Sequence, residues 1–178
     1  RELYALDKAL IGTGRRERVF VNSMSDTFED RDDLNEARAR LWDACHNVQT
    51  LDMLLLTKRP ENIRAMVPLT WRHVEWPAHV WVGTTVEDQA AADRRIPALL
   101  MVRPRVRFLS CEPLLGPVDL RGWLTRDGAD CTWPSKPIFY GARQIHWVIC
   151  GGESGPKARP MHPAWVRSLR DQCAAAGV

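Results

Sequence analysis

No stretch of this sequence approaches the roughly 18 to 20 consecutive apolar residues that a membrane-crossing helix requires, and its start lacks the basic-then-apolar order of a secretory signal. No membrane partner is expected. Cysteine is sparse: Cys45, Cys111, Cys131, Cys150 and Cys173 make five, an odd number, with at least 19 positions between neighbours. That spacing excludes a CxxC metal knuckle and argues against a disulfide framework, leaving free thiols and a cytoplasmic location as the expectation. His46, His73, His79 and His146 show no metal-like spacing, so no histidine zinc site is expected. An excess of one charge is missing too, since 25 Lys+Arg against 22 Asp+Glu leave only +3. Nucleic acid remains possible as a partner but is not indicated by charge. Length is the last shortage. A complete eight-fold β/α barrel takes about 250 residues, and these 178 can hold only part of one.

What is present is a globular composition, 45% hydrophobic and 26% charged, compatible with one compact domain over residues 1–178. The first residue is Arg1, and the chain stops at Gly177-Val178, a helix-stop signal with nothing after it; the expectation is a partial domain truncated at both ends. Eight tryptophans against two tyrosines are unusual, and taken singly they read as packing residues.

Five segments share one design, a β-branched or aromatic apolar run ending in small, polar or charged residues. They are VFVNSMSD from Val19, LDMLLLTKRP from Leu51, HVWVGTTVED from His79, VRFLSCEP from Val106 and HWVICGGE from His146. Continuous apolar character marks strands covered on both faces, as parallel strands are. Helical patterns fall between them at 33–46, 60–67 and 88–102, with Pro97 a candidate kink in the third. The first four strand starts are 32, 28 and 27 residues apart, the size of a repeated β-turn-α unit. A Pro- and Gly-rich stretch over 113–144, with one short helix near 118–124, breaks the rhythm. An amphipathic helix follows from Pro163 to about Ala176, and the opening ten residues read as a further short helix. The fold class expected is α/β, a partial (β/α) barrel of about five parallel strands.

Parallel α/β folds place their sites at the carboxyl ends of the strands. Glu87, Glu112 and Glu153 each follow a strand, accompanied by Asp26, Lys58, Arg59 and Arg159. So many ionisable groups at one mouth suggest a polar ligand. The plainer reading makes Ser25, Asp26 and Asp88 helix caps and spends the cations in structural ion pairs. Glu112 resists that reading, because Pro113 and the Leu-Leu-Gly-Pro run after it offer no helix to cap. Gly151-Gly152-Glu153-Ser154-Gly155 could bring backbone N–H groups close to an anion or an adenosine-bearing ligand, although it is neither G-x-G-x-x-G nor a Walker loop. Cys150 reads as a small core hydrophobe, and Cys111 as a buried thiol before a nucleophile. His162 either faces the mouth or makes a local contact at the start of the last helix.

VFVNSMSD, LLLTKRPENI, VWVGTTVEDQAAADRRIPALL, VRFLSCEPLLGPVDL and WVICGGESGPKARPMHPAWVRSLRDQCAAAGV together resemble a bacterial and phage protein family related to radical S-adenosylmethionine enzymes. The resemblance covers most of 19–178. It implies a partial barrel holding S-adenosylmethionine and a [4Fe–4S] cluster, with reductive cleavage to a 5′-deoxyadenosyl radical. Fuller family members carry a cysteine-rich N-terminal segment for the cluster, and this sequence does not contain it. On this reading the cofactor cavity is lined by Asn22, Ser23, Ser25, Thr57, Lys58, Thr85, Glu87, Ser110, Glu112, Gly151, Gly152 and Glu153. A carboxylate would receive the methionine ammonium, Lys58 or Arg59 its carboxylate, and hydroxyls the ribose.

Two other classes compete. A non-catalytic phage or host-interaction module would use exposed Trp71, Trp76, Trp123 or Trp133 as anchors. A divalent-metal barrel hydrolase would use Asp26, Glu87, Glu112 and Glu153 as oxygen ligands.

Overall fold

A computed structural model describes residues 2–73, 75–124 and 144–178. The five apolar runs form strands β1 (Glu17–Val21), β2 (Leu51–Thr57), β3 (Val80–Thr85), β4 (Arg107–Cys111) and β5 (Trp147–Cys150). They pair in sequence order and all in parallel, as the connections through helices require.

The helices are α1 (Glu2–Leu10), α2 (Asn35–Asn47), α3 (Ile63–Met66), α4 (Leu69–His73), α5 (Gln89–Leu99), α6 (Arg121–Leu124) and α7 (Pro163–Ala176). The region expected as one helix over 60–67 is a 3-10 turn at Pro60–Asn62 that runs into α3. Helix α4 was not expected from the sequence. Pro97 lies inside α5, which continues to Leu99. Most of the Pro- and Gly-rich stretch lies outside the described residues.

The sheet is strongly curled. Strands are spaced about 4.8 Å apart, so a flat sheet would separate β1 from β4 by about 14 Å. Phe20 of β1 and Phe108 of β4 nevertheless meet edge to face, with centroids 5.9 Å apart. Together with the all-parallel order, this makes the sheet a half-barrel.

Register assigns each side chain to a face, because parallel partners at one level point the same way and successive residues alternate. Phe20, Leu54 and Trp81 stand at one level. Gly83, Phe108 and Trp147 form another. These belong to the concave face. The opposite residues, Val21, Met53, Leu55, Val82, Leu109 and Cys111 among them, pack with Ile63, Val67, Ile96, Leu99 and Leu169 in the main core. Each such aliphatic side chain contributes about 1.5–3 kcal/mol on burial, and the described helices that carry these residues coat the convex side.

Two contacts fix how the layers join. Buried Asp7 of α1 accepts from Thr50 Oγ1 at 2.6 Å, Thr50 N at 2.7 Å and Gln49 N at 3.1 Å, tying α1 to the start of β2. Phe28, Trp42, Trp71 and Trp76 form an aromatic series with successive centroids 5.9, 5.2 and 5.0 Å apart. Trp71 and Trp76 are buried there, which corrects their reading as exposed anchors: each indole finds apolar partners among the helices and leaves little ring for another molecule. Trp123 is half-buried against the core, and Trp133 lies outside the described residues.

Candidate functional site

The loop after β1 is built by hydrogen bonds. Asn22 takes the left-handed conformation, φ 56°, tolerated by Asn because its short amide bonds locally; its Nδ2 donates to Thr27 Oγ1 at 2.8 Å. Ser23, Met24 and Ser25 form the exposed tip. Buried Arg38 of α2 donates from below to the carbonyls of Thr27 and Glu29 at 2.9 and 2.8 Å.

Asp26 is not a helix cap, and neither is Ser25: the helical residues next in sequence, Asp32–Leu34 and α2, start without a side-chain cap. Asp26 instead joins this loop to the end of β2. Its carboxylate accepts from Phe28 N at 3.0 Å, Thr57 Oγ1 at 2.7 Å, Lys58 N at 3.0 Å and Arg59 Nη1 at 3.0 Å. Thr57 is buried and spent on that bond. Arg59, shared between Asp26 and Glu29, is likewise committed. Asp88 does cap a helix, accepting from Ala91 N at 2.8 Å at the start of α5.

Glu87, after β3, sits between two cations: Arg95 of α5 at 2.5 Å and Lys58 at 3.5 Å. Burial pushes its carboxyl up, but a backbone hydrogen bond, Arg95 and Lys58 outweigh it and hold the group below the ordinary range. Arg95 also donates to the carbonyl and hydroxyl of Thr85 at 2.9 and 3.0 Å. Its Nε is buried with no partner among the described residues. Sequence reading missed Arg95, because its approach to Thr85 and Glu87 depends on how α5 packs.

The last two strand ends lie side by side. Leu114 N donates to Gly151 O at 2.9 Å, and Leu115 N to Glu87 O at 2.8 Å, which links three mouth loops. Ser110 is buried at the end of β4. The Glu112 carboxylate lies across Gly151, where a Cβ would stand 2.8 Å from Glu112 Oε1; any larger residue would displace it. Gly152 faces Met161 with more room. Glu153 is held by Arg159 through contacts of 2.7 and 2.9 Å, and those hydrogen bonds bring its pKa to about 2. Among the described residues Glu112 is thus the one strand-end glutamate without an ion pair.

His162 makes the local contact, its Nδ1 accepting from Ala164 N at 3.2 Å beside Trp165. Cys111 is buried on the convex side, where burial, with smaller contributions from Cys150, Cys173 and Glu87, pushes its thiol up to about 12; burial does the same to Cys45. Neither is a nucleophile at neutral pH. Cys150 is half-buried against the core, and Cys131 lies outside the described residues. No three His, Cys, Asp or Glu side chains among the described residues converge as a metal site. Asp26, Glu87 and Glu153 are each taken by cations or backbone donors instead.

Residues 5–178 match the profile of a family described as a protein of unknown function, DUF5131. The chain belongs to the DUF5131 family. No curated protein and no solved structure matches it. Among the described residues of this DUF5131 chain, no helix is long and apolar enough to cross a membrane.

Proposed function

We propose that this DUF5131 chain forms the wall of an S-adenosylmethionine site of the radical type, with the cofactor at the carboxyl mouth of the half-barrel. The observation that carries the proposal is Glu112: an exposed carboxylate, unpaired among the described residues, laid across a glycine beside the Gly151-Gly152 backbone. Such a group suits the ammonium of an amino-acid moiety, since a charge-assisted bond there displaces no existing partner. Lys58 is the mouth cation best able to meet the carboxylate, because its side chain is 61% exposed and its bond to Glu87 is long. Arg59 is committed elsewhere, and the hydroxyls of Thr57 and Thr85 already bond Asp26 and Arg95. Ser110 and the glycine backbone remain for the ribose and adenine.

The described cysteines do not fit an iron–sulfur cluster. Cys45 and Cys111 are buried among apolar side chains and protonated, and cluster ligation takes grouped thiolates. The test is equilibrium binding of S-adenosylmethionine to the 178-residue chain by calorimetry, compared with Glu112→Gln. Saturable binding that weakens about tenfold or more in the variant supports the site. Absent binding, or equal affinity in both chains, overturns it.

A further inference from the structure

The concave face carries a second constellation, lower in the half-barrel and outside the mouth. Arg18 of β1 places its guanidinium carbon 5.1 Å from the Trp81 ring centroid and 5.4 Å from that of Trp147. The two indoles meet edge to face at 6.0 Å. Three strands therefore converge on one cation. An indole face holds a guanidinium by cation–π attraction while leaving its N–H edges able to fork onto an oxyanion.

Charge bookkeeping at this end of the sheet leaves Arg18 unspent. Asp52, its register partner on β2, is held by Arg16 at 2.7 and 3.1 Å. Glu17 is held by Arg15 at 2.9 Å. Among the described residues the Arg18 guanidinium makes no hydrogen bond or ion pair, and the residue is exposed. A cation fixed by two rings, with no ion-pair partner among the described residues, is complementary to an anion from solution.

The surroundings state what the anion is attached to. Phe20, two residues along β1 on the same face, is 45% exposed. Its ring stands against Phe108, which in turn contacts Trp147 at 5.9 Å. Gly83 makes this floor possible, since a Cβ there would come within 2.6 Å of the Phe108 ring. The result is an aromatic cluster running from Arg18 to Phe20 over the buried Phe108 ring, with exposed Phe20 and half-buried Trp147 as the rings open to stacking by a flat ligand.

We infer that the concave face binds an aromatic oxyanion, a planar ring bearing a carboxylate or phosphate, with Arg18 taking the oxyanion and Phe20 and Trp147 the ring. This is independent of the S-adenosylmethionine reading, which concerns Glu112 and the mouth.

The test follows the indole N–H signals of Trp81 and Trp147 by nitrogen–proton NMR, assigned with W81F and W147F, during titration of the 178-residue chain. Indole-3-carboxylate and phenyl phosphate are the anionic probes, and indole-3-carboxamide is the uncharged control. Saturable shifts of both signals with one or both anions are expected, and whichever probe binds tighter identifies the group. Arg18→Gln should weaken binding about tenfold or more, Arg18→Lys less, and Glu112→Gln not at all. No shift with either anion, an equal response to the carboxamide, or unchanged affinity in Arg18→Gln overturns the inference. Because Arg18 is exposed, the variant is expected to keep the far-ultraviolet circular dichroism of the parent.

Discussion

At the scale of single residues, two glycines illustrate how the interior is shaped. Gly83 has Phe108 pressed onto its α-carbon, with ring atoms 2.6 Å from where a Cβ would be. Gly83→Ala should therefore cost about 1–3 kcal/mol through overpacking, read as a lowered midpoint in urea unfolding. Gly151 meets a flexible carboxylate instead, so the larger consequence of Gly151→Ala should be at the mouth. Glu153 gives a test in pH. Its carboxyl is held below the usual value of 4.5, at about 2, by Arg159. A depressed native value means that the pair's contribution is complete above pH 4.5 and is lost as pH falls toward about 2. Carbon-detected NMR of the Glu153 carboxyl should show that low midpoint in the parent and a rise toward the ordinary value in Arg159→Gln; a midpoint already near 4.5 in the parent would refute the assigned bond.

At the scale of elements, sequence patterns anticipated α2, α5 and α7 closely, because apolar periodicity and terminal signals agreed. Asp88 is the clearest instance: it stands one residue before α5 and accepts from Ala91 N. Asp88→Ala should lower stability by about 1 kcal/mol, measured by thermal or urea unfolding. Asp26 carries the same residue type at a similar place after a strand, yet it caps nothing. Both are acidic residues at the end of a β-turn-α unit, and only the backbone path separates them: the chain after Asp26 turns back to Phe28 before any helix begins. Helix α4 went unread because five residues with a β-branched Thr and a Trp carry little intrinsic helical signal; it is secured by packing, through Trp71 between Trp42 and Trp76.

At the scale of the whole molecule, a half-barrel has two unlike faces, and its thiols report which is which. Cys45 and Cys111 lie on the convex, helix-covered side with pKa values near about 12. Unfolded thiols ionise near 9.0 while the folded ones keep their protons, so the unfolded state binds fewer protons above that pH. Stability should thus fall as pH rises from 9.0 toward about 12, less steeply in Cys111→Ala. At pH 8, alkylation followed by mass spectrometry should spare both residues in the native chain and label them in urea. Rapid native labelling of Cys111 would contradict its placement beneath the sheet.

Strand identity, parallel pairing and the α/β class were legible in the sequence because they rest on local patterns: apolar runs, spacing near one β-turn-α unit, and helical periodicity. The carboxyl-end address of the mouth followed from that class by geometry alone. What only the tertiary structure decided is the distribution of partners. Glu87, Glu112 and Glu153 look alike in sequence, each a glutamate after a strand, but Arg95 and Arg159 reach the first and last, and Glu112 has no ion pair among the described residues. Arg18, Trp81 and Trp147 are separated by 63 and 66 positions, and each alone reads as an ordinary strand residue. Register sets their faces, and sheet curvature closes the gap between them. Both are properties of the assembled sheet, summed over every strand it contains, which is why no single segment of the chain displays them.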